Sequence, residues 1–374
     1  MKILFTGGGT GGHIVPIVAL VREIQKSYGD LNPQFFYVGP RDVFSASLLA
    51  HEGITVRSVF AGKIRRYGGI KTILLNIFDV CIKIPLGVCI AFWRLLFLSP
   101  DIVVSKGGYG AIPVTLAAWA LGIPQFLHES DSVPGKANLL AARFARKVFT
   151  SFPRTAGFPQ EKVLLFGSPI RERLLTGSPE KAGELFHLKG EKPIVMIIGG
   201  SQGAQRINDM ILAILGPLLD LFEIIHQTGD KDFPRVTAES QVAAAEEQLA
   251  YYHPLPFVRE TDLRHAYAVS EIIVSRAGAS SIFEIAALGK PSILIPLPEA
   301  AQDHQLRNAY AYASTGAAIV MEAPNLTPHF FLEKLKFLSS TPAEQEHMAE
   351  AARSFAKPDA GKLIADYLIE YLER

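Results

Sequence analysis

Short apolar runs alternate with amphipathic or glycine-marked stretches along most of this 374-residue chain. In the first part of the chain these runs lie at residues 2–6, 35–38, 55–59, 102–105, 125–128 and 147–150. Strands that alternate with helices in this way form a parallel sheet with helices on both faces. The pattern therefore predicts an α/β domain built on a parallel sheet.

The same order of elements begins again in the second half. A strand at 194–198 precedes the glycine loop GGSQGA and a helix at 208–219, and further strands follow at 223–226, 272–275, 292–295 and 318–321. We therefore predict two Rossmann-like parallel-sheet domains of the α/β class that face a cleft, with ligands at the carboxyl ends of the strands. The predicted domains are 1–166 and 167–341, and a C-terminal helix at about 342–374 is expected to pack back on the first domain.

Composition and charge are those of an ordinary globular protein. Hydrophobic residues make up 49% of the chain and charged residues 20%, and the net charge of +1 gives no reason to expect nucleic acid as a partner. Cys81 and Cys89 lie within an apolar stretch, which predicts buried thiols in a reducing compartment. Lys2 leads directly into a strand rather than into a signal peptide, so we expect a cytosolic location.

One apolar stretch, residues 70–98, follows three basic residues, Lys63, Arg65 and Arg66. Charged residues interrupt this stretch, and Pro85 and Gly87 are expected to break it, so no membrane span is predicted. Its helical spacing favours an amphipathic helix whose side chains are mostly buried in the core. The alternative is that part of the helix and the basic residues before it rest on an anionic membrane surface.

The segment LFTGGGTGGHIVP, residues 4–16, holds five glycines between the first strand and the first helix. Gly7, Gly9 and Gly12 fit the spacing of a dinucleotide-binding loop, but the second strand ends at Gly39 without the acidic residue that would bind a ribose. The free N–H groups and the dipole of a helix N-terminus favour any phosphate, so the loop predicts diphosphate binding. His13 is a candidate base, because an imidazole titrates near neutrality.

A second candidate site lies in residues 275–309, which are predicted to run from a strand through a turn and a helix to another strand and a loop. Ala279 to Ser281 would place hydroxyl and N–H groups at the helix start, with Glu284 one turn further on. Gln305 follows the next strand. A carboxylate and an amide can accept from and donate to the vicinal hydroxyls of a ribose or a sugar.

Six motifs occur in a fixed order across residues 7–309: GGTGGH, HESD with PGKAN, GSPIR, GGSQGA, SRAGASSIFEIAALGKP and DHQLRNA. Together they resemble the bacterial N-acetylglucosaminyltransferases of peptidoglycan synthesis, which belong to the GT-B class. The resemblance implies an inverting hexosyltransferase that moves N-acetylglucosamine from UDP-N-acetylglucosamine to the 4-hydroxyl of undecaprenyl-pyrophosphoryl-N-acetylmuramyl-pentapeptide. It also implies a peripheral enzyme on the cytoplasmic face of the plasma (inner) membrane.

The resemblance assigns residues to roles motif by motif. Thr10, Gly11 and Gly12 would line the diphosphate and acceptor side, while Arg171 and Ser201 would contact the nucleotide and its phosphate. The nucleotide-sugar would be held by Ala279, Ser280, Ser281, Ile282, Phe283 and Glu284. Within that set Glu284 would bind the ribose, and Gln305 would bind the hydroxyls of N-acetylglucosamine.

Two places depart from the pattern, and one further position matches it. Asp131 stands where the family has an asparagine expected to touch the donor, and the loop that contacts uracil aligns ambiguously with residues 256–263. Trp119 falls where the family has a tryptophan near its membrane face. No metal and no cofactor are expected, and His13 is the first candidate for the general base, with Glu129 as its rival.

Other functions remain open at this point. The chain could be another UDP-sugar transferase with a lipid acceptor, or a nucleotide-sugar epimerase or hydrolase on the same fold. It could also be a non-catalytic membrane-bound sensor of nucleotide-sugars. The basic and apolar region 63–98 argues against an epimerase or hydrolase, and the presence of His13 and Glu129 argues against a sensor.

Overall fold

The computed structural model describes residues 1–8, 11–63, 65, 69–199, 204–297 and 303–374. These residues form two compact units, each with its own sheet. The N-terminal unit comprises Met1–Ile170 and Lys357–Arg374, and the C-terminal unit comprises Arg171–Ala356. The two parallel-sheet units establish the predicted fold class.

The sheet of the N-terminal unit has seven parallel strands in the order β3-β2-β1-β4-β5-β6-β7. Its strands are β1 (Lys2–Thr6), β2 (Gln34–Gly39), β3 (Thr55–Ser58), β4 (Ile102–Ser105), β5 (Gln125–Glu129), β6 (Lys147–Thr150) and β7 (Val163–Leu165). The helices that precede the C-terminal unit are α1 (Gly11–Tyr28), α2 (Val43–His51), α3 (Ile70–Phe78), α4 (Ile84–Leu98), α5 (Ile112–Ala120) and α6 (Lys136–Phe144).

Alternate residues of β1 show why the central strands are apolar throughout. Ile3 and Phe5 pack on the face covered by α1, while Leu4 packs on the face covered by α4 and α5. A strand buried on both faces needs apolar side chains at every position. At the carboxyl ends of β1, β4, β5 and β6 stand buried polar residues, which lie at the same end of the sheet: Thr6, Ser105, Glu129 and Thr150.

The C-terminal unit repeats this architecture with six parallel strands in the order β10-β9-β8-β11-β12-β13. Its strands are β8 (Ile194–Ile198), β9 (Glu223–Gln227), β10 (Tyr252–Leu255), β11 (Ile272–Ser275), β12 (Ser292–Leu294) and β13 (Ala318–Val320). Its helices are α7 (Pro179–Phe186), α8 (Gln205–Ala213), α9 (Leu215–Leu219), α10 (Phe233–Ala243), α11 (Glu246–Leu249), α12 (Glu260–Val269), α13 (Ala279–Leu288), α14 (His304–Ala313), α15 (Pro328–Ser340) and α16 (Pro342–Phe355).

The C-terminal stretch 342–374 is two helices, whereas we expected one that packs on the N-terminal unit. The first, α16, packs against α13 and α15 in the C-terminal unit. Pro358 follows soon after its end, and a proline disfavours helical backbone at the residue before it. Only the last helix, α17 (Ala360–Glu373), packs against α1, where the Tyr28 hydroxyl donates to Asp366 Oδ1 at 2.6 Å.

The apolar stretch 70–98 differs most from its prediction. Pro85 and Gly87 do not break it, because α3 continues through a π-helical turn, Asp79–Lys83, directly into α4. By length and composition the helix Thr72–Leu98 could cross a membrane. Only 11% of an apolar 18-residue stretch within it is buried. The expectation of a mostly buried core helix is therefore wrong.

Only one narrow face of this helix packs against the unit. Gly87, Ala91 and Leu95 are buried, and a Cβ atom on Gly87 would lie 2.0 Å from the Phe60 carbonyl oxygen. Many of the large apolar side chains point outward, among them Ile70, Ile73, Leu74, Ile77, Phe78, Ile82, Trp93 and Phe97. Cys81 and Cys89 are exposed as well, which corrects the prediction of buried thiols.

Asp79 is the charged residue that this helix does bury. Its carboxylate pairs with Arg65 Nη1 at 2.8 Å and with Lys83 Nζ at 2.8 Å, and it accepts from the Lys63 N–H at 3.2 Å. Burial opposes ionisation, but the bonds from Lys83 and Arg65 hold the pKa of Asp79 below its ordinary value. The ion pairs thus attach the basic segment before α3 to the π-helical turn.

Candidate active site

His13 lies between two glycine turns of the N-terminal unit. Helix α1 begins at Gly11, earlier than its apolar pattern indicates, so His13 is its third residue. A Cβ atom on Gly8 would lie 3.1 Å from His13 Cε1 and Nδ1, and one on Gly108 would lie 3.1 Å from His13 Nε2. Gly8 follows β1 and Gly108 follows β4, so a side chain at either position would lie tightly against the His13 ring.

Hydrogen bonds from neighbouring strands fix the first of these turns. The Tyr37 hydroxyl donates to the Gly7 carbonyl oxygen at 3.1 Å, and the Lys106 N–H donates to the Thr6 carbonyl oxygen at 2.7 Å. Tyr37 is buried, so its hydroxyl is oriented by this contact. These two bonds hold the chain at Thr6 and Gly7, where β1 ends and the turn before His13 begins.

A chain of hydrogen bonds connects Glu129 to the second turn. Glu129 ends β5 and is 2% exposed. Its Oε1 accepts from the Asp131 N–H at 2.9 Å, and its Oε2 accepts from Asn138 Nδ2 at 2.7 Å. Asn138 Oδ1 in turn accepts from the Gly108 N–H at 2.9 Å. The two candidates for the base, His13 and Glu129, therefore lie in one neighbourhood and are linked by Asn138 and Gly108.

Buried titratable groups surround Glu129. Burial raises its pKa to about 7, and the charge of Asp131 adds to this effect. Burial lowers the pKa of Lys106 to about 8 and that of His128 well below its ordinary value. Lys106 Nζ therefore donates to Nδ1 of a neutral His128 at 2.5 Å, and His128 Nε2 donates to the Gly167 carbonyl oxygen at 3.0 Å.

In the C-terminal unit, Arg171 and Glu284 form a bidentate ion pair. Arg171 Nε lies 2.8 Å from Glu284 Oε1, and Nη2 lies 3.0 Å from Oε2. Glu260 adds a carboxylate 3.9 Å from Arg171 Nη1. Burial opposes the charge of Arg171, but the Glu284 carboxylate raises its pKa above the ordinary value. Arg171, which we expected at a phosphate, thus holds the carboxylate that we expected at the ribose.

The N-terminus of α13 carries the predicted nucleotide-sugar residues. Gly278 caps the helix without a side-chain bond to its first N–H groups. Among the residues that the structure describes, the buried Ser280 Oγ has no hydrogen-bond partner. Free N–H groups and a buried hydroxyl at a helix start suit an anionic ligand.

Ile282 and Phe283, which are predicted to help hold the nucleotide-sugar, lie within α13. Both side chains are buried in the core, where the Phe283 ring lies 5.1 Å from that of Phe355. The Ile282 N–H already donates to the Gly278 carbonyl oxygen at 3.0 Å. A helix buries one face, and these two positions fall on it. Their predicted contact with the nucleotide-sugar stays a prediction.

Gln305 lies in the first turn of α14, the helix that follows β12. It is buried, and its Oε1 accepts from the Leu297 N–H at 3.2 Å. Asp303 precedes it with a left-handed φ of 54°. Thr10 and Ser201 lie outside the described residues, so their predicted roles have no counterpart in the structure.

Sequence reasoning missed the residues that position these groups. Asn138 stands in the PGKAN motif, and Lys106 directly precedes the Gly107–Gly108 turn. Both follow or face the carboxyl ends of strands, which is the signal that could have identified them. Tyr37 contacts Gly7, and Glu260 contacts Arg171. These partners are far apart in the sequence, and no local pattern indicates such contacts.

Two domain families match the chain at these two units. The glycosyltransferase family 28 N-terminal domain matches residues 3–150, and the glycosyltransferase family 28 C-terminal domain matches residues 194–364. These two family matches, together with two parallel sheets that each carry polar groups at the carboxyl ends of their strands, define a glycosyltransferase of the GT-B class.

Curated relatives resemble the chain along its whole length. A UDP-N-acetylglucosamine–N-acetylmuramyl-(pentapeptide) pyrophosphoryl-undecaprenol N-acetylglucosamine transferase of Thermodesulfovibrio yellowstonii is 34% identical, with 100% of each chain covered. The protein of the same name from Clostridium tetani is 36% identical over 90% of this chain and 89% of its own. The chain belongs to this family.

Solved structures agree with that assignment. A crystal structure of Acinetobacter baumannii MurG superposes with a TM-score of 0.74 and 27% identity, covering 99% of both chains. A UDP-N-acetylglucosamine 2-epimerase from Neisseria meningitidis, with UDP-N-acetylglucosamine bound, superposes with a TM-score of 0.67, 16% identity and coverage of 99% and 100%. At that identity the epimerase shares the fold alone.

Proposed function

We propose that this chain transfers N-acetylglucosamine from UDP-N-acetylglucosamine to the 4-hydroxyl of the N-acetylmuramyl group of undecaprenyl-pyrophosphoryl-N-acetylmuramyl-pentapeptide, with inversion at the anomeric carbon. The observation that carries this proposal is the end-to-end similarity, 34% over the whole chain, to a relative that bears this activity in its name. The two groups of polar residues, one in each unit, supply chemistry that fits the donor and the acceptor.

The C-terminal unit would bind the donor. The N–H groups at the start of α13 and the Ser280 hydroxyl would donate hydrogen bonds to the diphosphate, because a helix N-terminus favours negative charge. Arg171 holds Glu284 by both carboxylate oxygens, and each oxygen keeps a lone pair for a ribose hydroxyl. Arg171 is therefore a positioning residue for Glu284, and Gln305 would contact the sugar.

The N-terminal unit would bind and activate the acceptor. His13 takes the proton of the acceptor hydroxyl as the oxygen attacks the anomeric carbon, and the bond from that carbon to the UDP oxygen breaks with its electron pair on UDP. His13 stands at a helix start with its ring between two glycine turns, so a substrate can approach closely. Positioned donors that face the leaving diphosphate stabilise the charge that develops there.

The exposed side of the 70–98 helix would hold the enzyme on a membrane surface. Trp93 is 53% exposed, Phe97 81% and Trp119, on the neighbouring α5, 61%. Lys63 and Arg65 precede the helix. Apolar side chains next to cations bind an anionic lipid surface. Since Gly87, Ala91 and Leu95 attach the helix to the sheet, we propose a peripheral enzyme on the cytoplasmic face of the plasma membrane.

Binding to anionic vesicles should weaken as salt rises, because screening reduces the attraction of surface cations. Phe97→Ser should lower the partition coefficient about tenfold by removing a large apolar contact. Lys63→Ser should lower it about fivefold, and it leaves the buried Arg65–Asp79 pair intact. Val242→Ser, at a 90% exposed site of the C-terminal unit, is the control that should change nothing. Vesicle sedimentation measures all four, and equal binding by Phe97→Ser would place the membrane surface elsewhere.

Asp131→Asn tests the residue that departs from the family. The amide keeps the shape of the carboxylate and removes only its charge and acid–base function. We expect activity near that of the wild type, with the KM for UDP-N-acetylglucosamine unchanged or lower. Steady-state kinetics at saturating acceptor measure both values. A fall in kcat of about a hundredfold with donor binding intact would instead make Asp131 the base.

The proposed function is tested by measuring UDP release from UDP-N-acetylglucosamine with and without the polyprenyl-pyrophosphoryl muramyl-pentapeptide. A transferase releases UDP only when the acceptor is present. Release without the acceptor would indicate a hydrolase, and an isomerised nucleotide-sugar would indicate an epimerase. Donor binding without any turnover would indicate the sensor.

A further inference from the structure

Asn138 is a buried polar residue to which none of the proposed roles is assigned. It lies in the first turns of α6 and is 6% exposed. Its amide group makes two bonds of opposite polarity: Nδ2 donates to Glu129 Oε2 at 2.7 Å, and Oδ1 accepts from the Gly108 N–H at 2.9 Å. Only a side chain that both donates and accepts can make these two bonds at once.

The Gly107–Gly108 turn is shaped around this amide. Both glycines adopt left-handed φ values, 77° and 76°. A Cβ atom on Gly107 would lie 1.8 Å from Asn138 Oδ1, and one on Gly108 would lie 3.1 Å from His13 Nε2. The same turn thus contacts Asn138 on one side and the His13 ring on the other. Its position sets the space that the ring occupies.

We propose that Glu129 and Asn138 form a positioning pair that holds the Gly107–Gly108 turn against the His13 ring, and that Glu129 is not the general base. The inference rests on the proposed function, since it assumes that His13 takes a proton from the acceptor. It decides between the two candidates for the base and assigns a role to Asn138.

The environment of Glu129 supports a positioning role. Both of its carboxylate oxygens accept hydrogen bonds from groups of its own unit, the Asp131 N–H and Asn138 Nδ2. The side chain is 2% exposed, whereas a general base must come within hydrogen-bond reach of the substrate proton. His13 is partly exposed and stands at the start of its helix.

Exchanging the two side-chain types tests the pair. In Glu129→Gln/Asn138→Asp the glutamine can accept from the Asp131 N–H and donate to the new aspartate, which can accept from the Gly108 N–H. Every hydrogen bond is kept, but the carboxylate moves to position 138. Each single variant instead places two donors or two acceptors face to face.

We expect each single variant to lower kcat about a hundredfold, as a displaced positioning group does, with the KM for UDP-N-acetylglucosamine unchanged. The exchange should restore kcat to within about tenfold of the wild type. An exchange variant no more active than the weaker single variant would overturn the proposal, because a base at 129 cannot be replaced by glutamine.

Gln125→Glu is the matched control. It places a carboxylate in the same strand, at its buried opposite end, where the Gln125 amide donates to the Thr115 carbonyl oxygen at 3.1 Å. This variant should lose stability without a change in kcat. A comparable fall in kcat would show that any disturbance of β5 impairs catalysis, which would also contradict a specific role for the pair.

Two further readouts decide the remaining cases. If the exchange variant does not unfold cooperatively, the pH dependence of kcat for Glu129→Gln decides which residue is the base. An acidic limb that remains in this profile belongs to His13, and an acidic limb that disappears belongs to Glu129. If the wild type transfers no sugar, the proposed function fails, while the pair is judged by the ¹⁵N resonances of the His13 ring. The chemical shifts of these resonances should change in the single variants and return to the wild-type values in the exchange variant. Resonances that do not shift in the single variants would refute the pair.

Discussion

His13→Asn should lower kcat by about 10²–10⁴-fold, the usual contribution of a general base, while the KM for UDP-N-acetylglucosamine stays the same. Asparagine is smaller than histidine but keeps a polar group near the two glycine turns, and it cannot take up a proton at neutral pH. The donor residues lie in the other unit, so donor binding should not respond. Steady-state kinetics with each substrate varied in turn measure both parameters.

His51→Asn is the control for this substitution. His51 is exposed and ends α2 in the same unit, so its loss should leave kcat unchanged. A His13→Asn variant that retains kcat would remove the imidazole from the chemistry. A rise in the donor KM at constant kcat would turn His13 into a donor-binding group.

Glu284→Ala is expected to raise the KM for UDP-N-acetylglucosamine far more than it lowers kcat. The ribose contacts change little between the bound donor and the transition state, so losing them removes uniform binding. The substitution also leaves Arg171, with its side chain 16% exposed, without its two-pronged partner. Breaking a buried pair from one side costs about 3–5 kcal/mol of unfolding free energy.

A double variant separates binding from stability. Arg171→Met/Glu284→Gln removes both charges and should recover most of the unfolding free energy, since a buried pair replaced as a whole is often neutral. Its donor KM should remain high because no carboxylate faces the ribose. Chemical denaturation and donor titration measure the two effects, and a double variant with normal donor affinity would exclude Glu284 from the site.

The sheet and the order of its elements follow from the sequence because buried parallel strands need continuous apolar runs. Ile3, Leu4 and Phe5 illustrate this, since Ile3 and Phe5 meet the helical layer on one face of the sheet and Leu4 meets the layer on the other. The pattern did not reveal the edge strands β7, which has only three residues, and β10, which contains His253 and Pro254. The sequence did not predict that α1 begins as early as Gly11, because Gly11 and Gly12 are poor helix formers.

The 70–98 helix shows where periodicity misleads. Helical spacing of apolar residues indicates a helix, but it does not say whether the apolar side meets a core or a lipid surface. The small residues Gly87 and Ala91 carry that information, because they let the helix approach the chain at Phe60. Large residues on the other sides of the helix, such as Trp93 and Phe97, are the exposed ones.

The site was predicted in part. Sequence motifs name Glu129, Arg171 and Glu284, but they do not reveal that Arg171 binds Glu284 or that Asn138 binds Glu129. Such pairs join residues far apart in the chain, and only the fold determines which of them meet. Whether the predicted residues bind the two substrates stays a prediction.

The product itself gives the most direct test of the account. The lipid formed from UDP-N-acetylglucosamine and undecaprenyl-pyrophosphoryl-N-acetylmuramyl-pentapeptide can be isolated and examined by mass spectrometry and by the anomeric proton coupling in NMR. A single displacement on the α-linked donor predicts a disaccharide lipid with a β-linkage to the muramyl 4-hydroxyl. An α-linkage, attachment to another hydroxyl, or free N-acetylglucosamine in place of the lipid would contradict the account.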